Sequence, residues 1–374
     1  MIFVLTCLGI ALVVALVFAL LLKTISLPEF ACIMGVQLLA AVSAAAICYY
    51  SSTSDEQVIN SYVTGKEKVK VSCSHSYRCN CYTTCTPSCS SKGSCSETCT
   101  EHCSTCYEHS HDYDWDVYNA MNETVTIDRI DRQGNDQPTR WTDVVMGDPT
   151  AITHNYENYV KAAPDTLFRN QGQTEKWAKD LPQYPIAVYD YYNLNRLVSV
   201  GVTLPETDRW NNELSELNAQ LGSKKQVNII VVVTKNRDES YFYALREAWI
   251  GGKKNDVILV VSVDDNLKPE WANVMSWELN ELFNVKLRDA VMAQPALTAE
   301  VTIANLRSSI LDYHQRKPMA DFAYLKSSIT PTTSQWIVSL IVQLALLAGS
   351  LFFFHINNPF ETGYSYGRRP YSRY

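Results

Sequence analysis

Three long apolar stretches bracket a region where apolar and polar residues change places at the short intervals of strands and helices. From Ile2 to Leu22 no charged residue occurs, and about 20 such residues wound as a helix span the roughly 30 Å of bilayer hydrocarbon. A second stretch, Phe30 to Tyr50, follows the link Lys23-Thr24-Ile25-Ser26-Leu27-Pro28-Glu29, in which Pro28 suits the turn of an antiparallel helical hairpin. The third, Trp336 to Ile356, begins after the breaker Thr330-Pro331-Thr332. It carries Trp336 and Phe352 to Phe354 at its ends, where interfacial aromatics belong. A signal peptide is the alternative for the first stretch, but that stretch lacks a basic leading segment and is longer than a usual signal core, so a retained anchor is expected. Three transmembrane helices follow.

Between the anchors, Lys68-Val69-Lys70-Val71-Ser72-Cys73 and Thr124 to Ile130 alternate with period two and are expected as strands that pair with each other. Pro185 to Asp190 and Leu197 to Thr203 also read as strands, joined by a turn at Asn193 to Asn195. Asp208 then caps a helix on which Trp210, Leu214, Leu217 and Leu221 share a face, and Gly222 is expected to end it. Val227 to Thr234 and Asp256 to Val263 are nearly continuous β-branched runs, as strands buried on both faces require. A helix from about Asp238 to Ile250, closed by Gly251-Gly252, separates them, so the unit is β-α-β with parallel strands and a right-handed crossover. Amphipathic helices are expected at Glu270 to Met292 and Thr298 to His314.

The fold class expected is therefore α/β, an α+β sandwich with a β-α-β core, plus three transmembrane helices and a small cysteine-rich β segment. The domains run 1–50 (helical hairpin), 51–135 (linker and cysteine module), 136–330 (α/β domain), 331–356 (C-terminal helix) and 357–374 (a basic, aromatic tail).

Composition sharpens this in one place. Nine of the twelve cysteines, Cys73, Cys79, Cys81, Cys85, Cys89, Cys95, Cys99, Cys103 and Cys106, lie in a segment of Ser, Thr, Gly and Pro with no large aliphatic residue between Ser74 and Thr105. Such a segment cannot build a core and needs covalent staples, which places it in the periplasm, a lumen or the cell exterior. Nine is odd, so four bridges leave one thiol over, for an intermolecular bond, for Cys48, or unpaired. Zinc is the alternative, with Cys79, Cys81, Cys103, Cys106, His75, His102, His109 and His111 as the available ligands. Against it, Cys85/Cys89 and Cys95/Cys99/Cys103 have three residues between successive cysteines instead of the two of a zinc knuckle. The run His109 to Asp116 clusters imidazoles and carboxylates that could hold a metal, but a contiguous run implies no open-site geometry, and it reads rather as an acidic, aromatic surface loop beside the cysteines. Asn122-Glu123-Thr124 is a glycosylation sequon if the host is eukaryotic.

The expected topology puts the N-terminus and the large domain outside and the hairpin tip inside. Lys23, Arg368, Arg369 and Arg373 then lie in the cytoplasm, in a bacterial inner membrane or a plasma membrane. A net charge of −7, spread without long runs, gives no electrostatic footprint for nucleic acid, which is not expected as a partner. The partners expected are the bilayer, a second copy through the small-residue run Ala40 to Ala46, and other membrane proteins.

Leu214-x-x-Leu217-x-x-x-Leu221, Gln226 to Thr234, Tyr243-Ala244, Trp249-Ile250-Gly251 and Asn255 to Val261 together resemble the TPM domain family of thylakoid-lumen photosystem repair proteins, a nematode receptor accessory protein and bacterial membrane-anchored proteins. The resemblance covers about 50 residues closely and residues 182–318 loosely. It implies an extracytoplasmic α/β sandwich with a C-terminal membrane helix. Its members are either non-catalytic partners of membrane complexes or weak acid phosphatases and calcium binders. The chain departs from the family where a glycine-rich turn follows the second buried strand, since no glycine occurs between Gly252 and Gly349. Asp264-Asp265, at the carboxyl end of a strand, is where an open α/β sheet holds a ligand such as Ca²⁺, although Asp264-Asp265-Asn266 before Lys268-Pro269 reads first as a solvated turn, which favours these residues regardless of function. Asp190 is a third carboxylate for such a site. The leading expectation is a membrane-anchored scaffold or accessory protein without catalysis or cofactor. The alternative is a divalent-metal-dependent phosphohydrolase.

Overall fold

The computed structural model describes residues 2–17, 26–89, 95–164, 166, 168–169, 172, 174–186, 195–357 and 359–360. The expected hairpin tip, the strand residues 187–190 with Asp190, and the tail residues 361–374 lie outside them. The chain divides into two compact units, residues 1–56, 155–170 and 318–374, and residues 57–154 and 171–317.

The first unit is helical. It holds α1 (Ile2–Leu16), α2 (Leu27–Thr53) and α10 (Thr333–Asn357). Two of these, α2 at 27 residues and α10 at 25, are long and apolar enough to cross a membrane. In the described residues α1 is 15 residues long, so two membrane-length helices stand where three were expected. Small residues let the helices approach: Ala41 is fully buried against Leu8, Trp336 and Leu340, and Ala15, Ile33 and Leu347 form a second contact. Buried Gln37 donates to the Gln343 carbonyl at 3.4 Å, a polar link inside the bundle. Where α2 ends, Asp55 accepts from Asn158 at 2.8 Å and pairs with Lys161 at 3.3 Å, which fastens the short helix α4 (Tyr159–Ala162) beside it.

The second unit contains a sheet of β5 (Thr124–Ile127), β4 (Asp112–Asn119), β1 (Ser54–Val71) and β6 (Pro149–Glu157), in that order. The expected direct pairing of β1 with β5 is not what forms: β4 lies between them, antiparallel to both. Alternation in the run Asp112 to Asn119, which takes in the last part of the expected surface loop His109 to Asp116, buries Trp115 and Val117 on one face. They pack with Val63, Ile127 and Val144, under the Trp141 ring of α3 (Thr139–Asp143). Lys66 and Lys68 close this sheet. Lys66 donates to the carbonyls of Trp141, Thr142 and Val144, and Lys68 lies 4.6 Å from the centre of the Trp115 ring. From the same sheet the hairpin β2 (Ser76–Cys89) and β3 (Cys95–Tyr107) projects as a separate two-stranded ribbon.

The other sheet of this unit has the order β10-β9-β8-β7: β10 (Pro269–Ser276), β9 (Asp256–Val263), β8 (Asn228–Lys235) and β7 (Leu197–Val200). β7, β8 and β9 are parallel, as the β-α-β pattern requires, and β10 runs antiparallel at the edge. Alternate strand residues face opposite ways. Ile229, Val231, Val257 and Leu259 meet α6 (Thr207–Lys225), α8 (Leu282–Met292) and α9 (Ala299–Tyr313) through Leu214, Leu217, Phe283 and Leu306. Ile230, Val232, Ile258 and Val260 meet α7 (Ser240–Ala248) through Tyr241, Phe242 and Leu245. The remaining short helix, α5 (Thr174–Trp177), lays Trp177 on that second face. The result is a sheet covered on both faces, the α/β sandwich that the sequence pattern predicts.

Three elements differ from the expectation. Glu270 to Met292 is not one helix: its first part is the edge strand β10, because β9 offers an unpaired edge that Pro269 to Ser276 fills by backbone pairing. Of the expected strand Pro185 to Asp190 only residues 185–186 are described, and these two are not in strand conformation. Finally, α6 does not end at Gly222 but runs to Lys225, and Gln226 takes the left-handed cap with φ 54°. Gly222 is small for another reason: a Cβ there would lie 2.2 Å from the Asn60 carbonyl oxygen of β1.

Candidate functional site

The even spacing of the cysteines determines how the ribbon is stapled. Residues four apart on an extended strand share a face, so Cys81, Cys85 and Cys89 line up on β2 and Cys95, Cys99 and Cys103 on β3. Antiparallel pairing then brings them opposite one another. Disulfides join Cys85 to Cys99, Cys81 to Cys103 and, at the ribbon's base, Cys79 to Cys106. The register sets Cys89 opposite Cys95, whose side chains lie outside the described residues. The register shifts between Cys79 and Tyr82, where Asn80 takes a left-handed φ of 49°. Apart from these bridges the ribbon is nearly all exposed, with Tyr77, Tyr82 and Tyr107 on its surface.

Cys73, expected among the disulfide cysteines, instead stands outside the ladder and keeps a free, buried thiol. It lies two residues past the end of β1, just before the ribbon. His75 follows on the way into β2, and His109 and Asp112 lie on the way out of β3, so the ribbon's neck brings together two pairs of residues separated by 34 or more positions in sequence. The Cys73 Sγ is 4.0 Å from His75 Nδ1 and 3.8 Å from His109 Nδ1. Asp112 carboxylate oxygens lie 3.5 Å from His75 Nδ1 and 3.2 Å from His109 Nδ1. All four ligand-type atoms lie within 4.8 Å of one another. The Asp112 side chain is fully buried; the two imidazoles are each about a quarter exposed.

The carboxylate is held from behind. Its Oδ2 accepts from Ser74 N at 3.2 Å and from Arg129 at 2.9 Å, and Arg129 also pairs with Asp114 at 2.7 Å. Burial on its own would raise the Asp112 pKa. The hydrogen bonds from Ser74, Arg129, Cys73 and His109 outweigh it and bring the carboxyl down to about 2.

The other residues singled out from the sequence fall differently. Cys79, Cys81, Cys103 and Cys106 are bridged, His102 stacks on Tyr82, and His111 Nε2 meets the Tyr113 hydroxyl at 3.1 Å. Of that group His75 and His109 converge on Cys73 and Asp112, whereas Cys81 and Cys103, which lie close to Glu101, are already joined to each other by a bridge. Asp264 and Asp265 occupy the tight turn between β9 and β10. Asp264 Oδ1 accepts from the backbone N–H of Asn266 and Lys268, at 2.8 and 2.9 Å, and Asp265 pairs with Lys235 at 2.8 Å. Among the described residues they join no convergent cluster of three or more ligands. Asn122 is exposed in the turn between β4 and β5, with φ 60°.

A buried polar network completes the second unit. Asn60 of β1 donates to Asn218 Oδ1, Val227 O and Asn228 Oδ1 at 3.1 to 3.3 Å, and Asn218 clamps both backbone groups of Ile229. Asn228 and Tyr184 donate in turn to the buried Asp256 carboxylate, which also accepts from Lys253 N. These groups satisfy one another across the start of β8 and β9, an arrangement that joins the two sheets. No family model, curated protein or solved structure matches this chain.

Proposed function

We propose that the chain is a membrane-anchored scaffold or accessory protein whose folded region lies outside the cytoplasm and which acts by assembly, not catalysis. One observation carries this reading: a ribbon with three disulfides and hardly any core projects from a chain that has a membrane-length apolar helix near each end. Covalent staples keep such a ribbon ordered while leaving both edges and its tyrosines open to a partner. The stretch Ile2 to Leu22 serves as a third anchor in this reading, which sets the N-terminus outside and the tail inside. The likeness of Leu214 to Val263 to the TPM family supports an accessory role, since that family includes helpers of membrane complexes. The α2 and α10 surfaces, with Ala40, Ser43 and Ala44 along a cavity of about 470 Å³, suit contact with another helix.

Sedimentation of the full chain in detergent tests the assembly. A self-associating species that dissociates on dilution is expected, and a monomer at every concentration contradicts self-assembly. Turnover of an aryl phosphate with Ca²⁺ or Mg²⁺ contradicts the non-catalytic reading.

A further inference from the structure

We propose that Cys73, His75, His109 and Asp112 form a structural Zn²⁺ site at the neck of the β2–β3 ribbon. The donor set is one thiolate, two imidazoles and one carboxylate, the mixture that zinc takes in four-coordinate sites. With Zn–S near 2.3 Å and Zn–N and Zn–O near 2.0 to 2.1 Å, a tetrahedron has ligand-to-ligand edges of about 3.6 Å to sulfur and about 3.3 Å between nitrogen and oxygen. The observed separations, 3.8 and 4.0 Å from sulfur to the two imidazole nitrogens and 3.2 Å from His109 Nδ1 to Asp112 Oδ1, lie within a few tenths of an ångström of these edges, and all four ligand-type atoms lie within 4.8 Å of one another. All-oxygen ions such as Ca²⁺ are a poor match for sulfur and nitrogen donors.

Charge balance points the same way. A thiolate and a carboxylate neutralise a divalent cation, and Asp114 separately balances Arg129. Binding releases the Cys73 thiol proton to solvent, so uptake weakens in acid. The supporting shell is in place: Ser74 N and Arg129 hold Asp112 Oδ2, leaving Oδ1 turned toward His109 as the metal-facing oxygen. The position also explains why Cys73 stays out of the ladder beside it. A thiolate on zinc is sheltered from an oxidant that bridges its neighbours, and an ion there ties the end of β1 and the start of β4 to both legs of the ribbon.

The test uses the full chain purified in detergent without chelator. About one zinc per chain is expected by elemental mass spectrometry. Cobalt in its place should give a thiolate charge-transfer band and the strong visible absorption of a tetrahedral site. Cys73→Ser and His109→Ala should each lower affinity by more than tenfold with the bridges Cys79–Cys106, Cys81–Cys103 and Cys85–Cys99 still recovered by peptide mapping. Arg129→Lys, which leaves all four ligands, should weaken binding about 10- to 100-fold. Because a variant can misfold, the unaltered protein supplies a second readout: alkylation of Cys73 should be slow until a chelator is added. Three results each overturn the site: no zinc and no cobalt band, the same metal content in Cys73→Ser, or Cys73 alkylated equally fast with and without chelator. The first and third leave a hydrogen-bonded cluster around Asp112 as the whole content of the neck.

Discussion

Replacing Gly222 by alanine separates two opposite expectations. Judged on helix propensity, Gly222→Ala in the body of α6 should stabilise the chain by about 1 kcal/mol, because glycine loses more backbone entropy in a helix. The packing of β1 reverses the sign. The new methyl carbon would sit 2.2 Å from the Asn60 oxygen, 2.7 Å from its carbonyl carbon and 2.7 Å from its Cβ, against backbone that cannot rotate away. Restoring an ordinary contact of about 3.4 Å moves the strand by about 1.2 Å. That shift stretches the three Asn60 amide contacts, now 3.1 to 3.3 Å, beyond hydrogen-bond range. Each buried polar group left without a partner costs about 1–3 kcal/mol, so a net loss of at least about 3 kcal/mol is expected. Urea unfolding of the full chain in detergent, followed by circular dichroism, reads this as a lower midpoint at unchanged slope. A midpoint equal to or above that of the unaltered chain would refute the close approach of β1 to α6, and with it the junction between the sheets.

Two further outcomes follow from the same geometry. Cys85→Ser with Cys99→Ser removes a bridge spanning 14 residues and should cost about 3 kcal/mol of local order. Amide exchange should speed up in β2 and β3 and stay unchanged in β8 and β9; uniform acceleration contradicts an independently stapled ribbon. Burial raises the Asp256 pKa above its ordinary 3.8, despite hydrogen bonds from Lys253, Asn228 and Tyr184. A raised folded value binds protons more tightly than the unfolded chain does. Its contribution is therefore complete below the ordinary value and declines as pH rises through the folded one. The stability difference between the unaltered chain and Asp256→Asn should shift against the unaltered chain as pH rises over that window, and a shift in its favour contradicts the assignment.

The parts of the fold legible in the sequence are those where one residue type dictates one environment. Val227 to Thr234 and Asp256 to Val263 are dominated by β-branched residues, and both strands form within a residue of where they were expected. Strand β10 was not legible because Pro269 to Ser276 has a weak pattern of its own and becomes a strand through the edge of β9. Gly222 shows the limit of a local rule: a helix-ending residue type is used instead for a contact 162 positions away in sequence, with Asn60. The ribbon's bridges were half visible, since four-residue spacing implies one face but not a partner. The Cys73-x-His75 and His109-x-x-Asp112 pairs were least visible, because only the closure of the ribbon brings their two halves together.

The central proposal, a folded region held on the oxidising side of the membrane, is tested most directly by the redox state of the ribbon in living cells. Free thiols are alkylated in intact, acid-quenched cells, and the full chain is then digested without reductant and mapped by mass spectrometry. The account predicts Cys79 bound to Cys106, Cys81 to Cys103 and Cys85 to Cys99, with Cys73 in no bridge. Recovery of those six cysteines as alkylated thiols would place the ribbon in a reducing compartment and contradict the orientation.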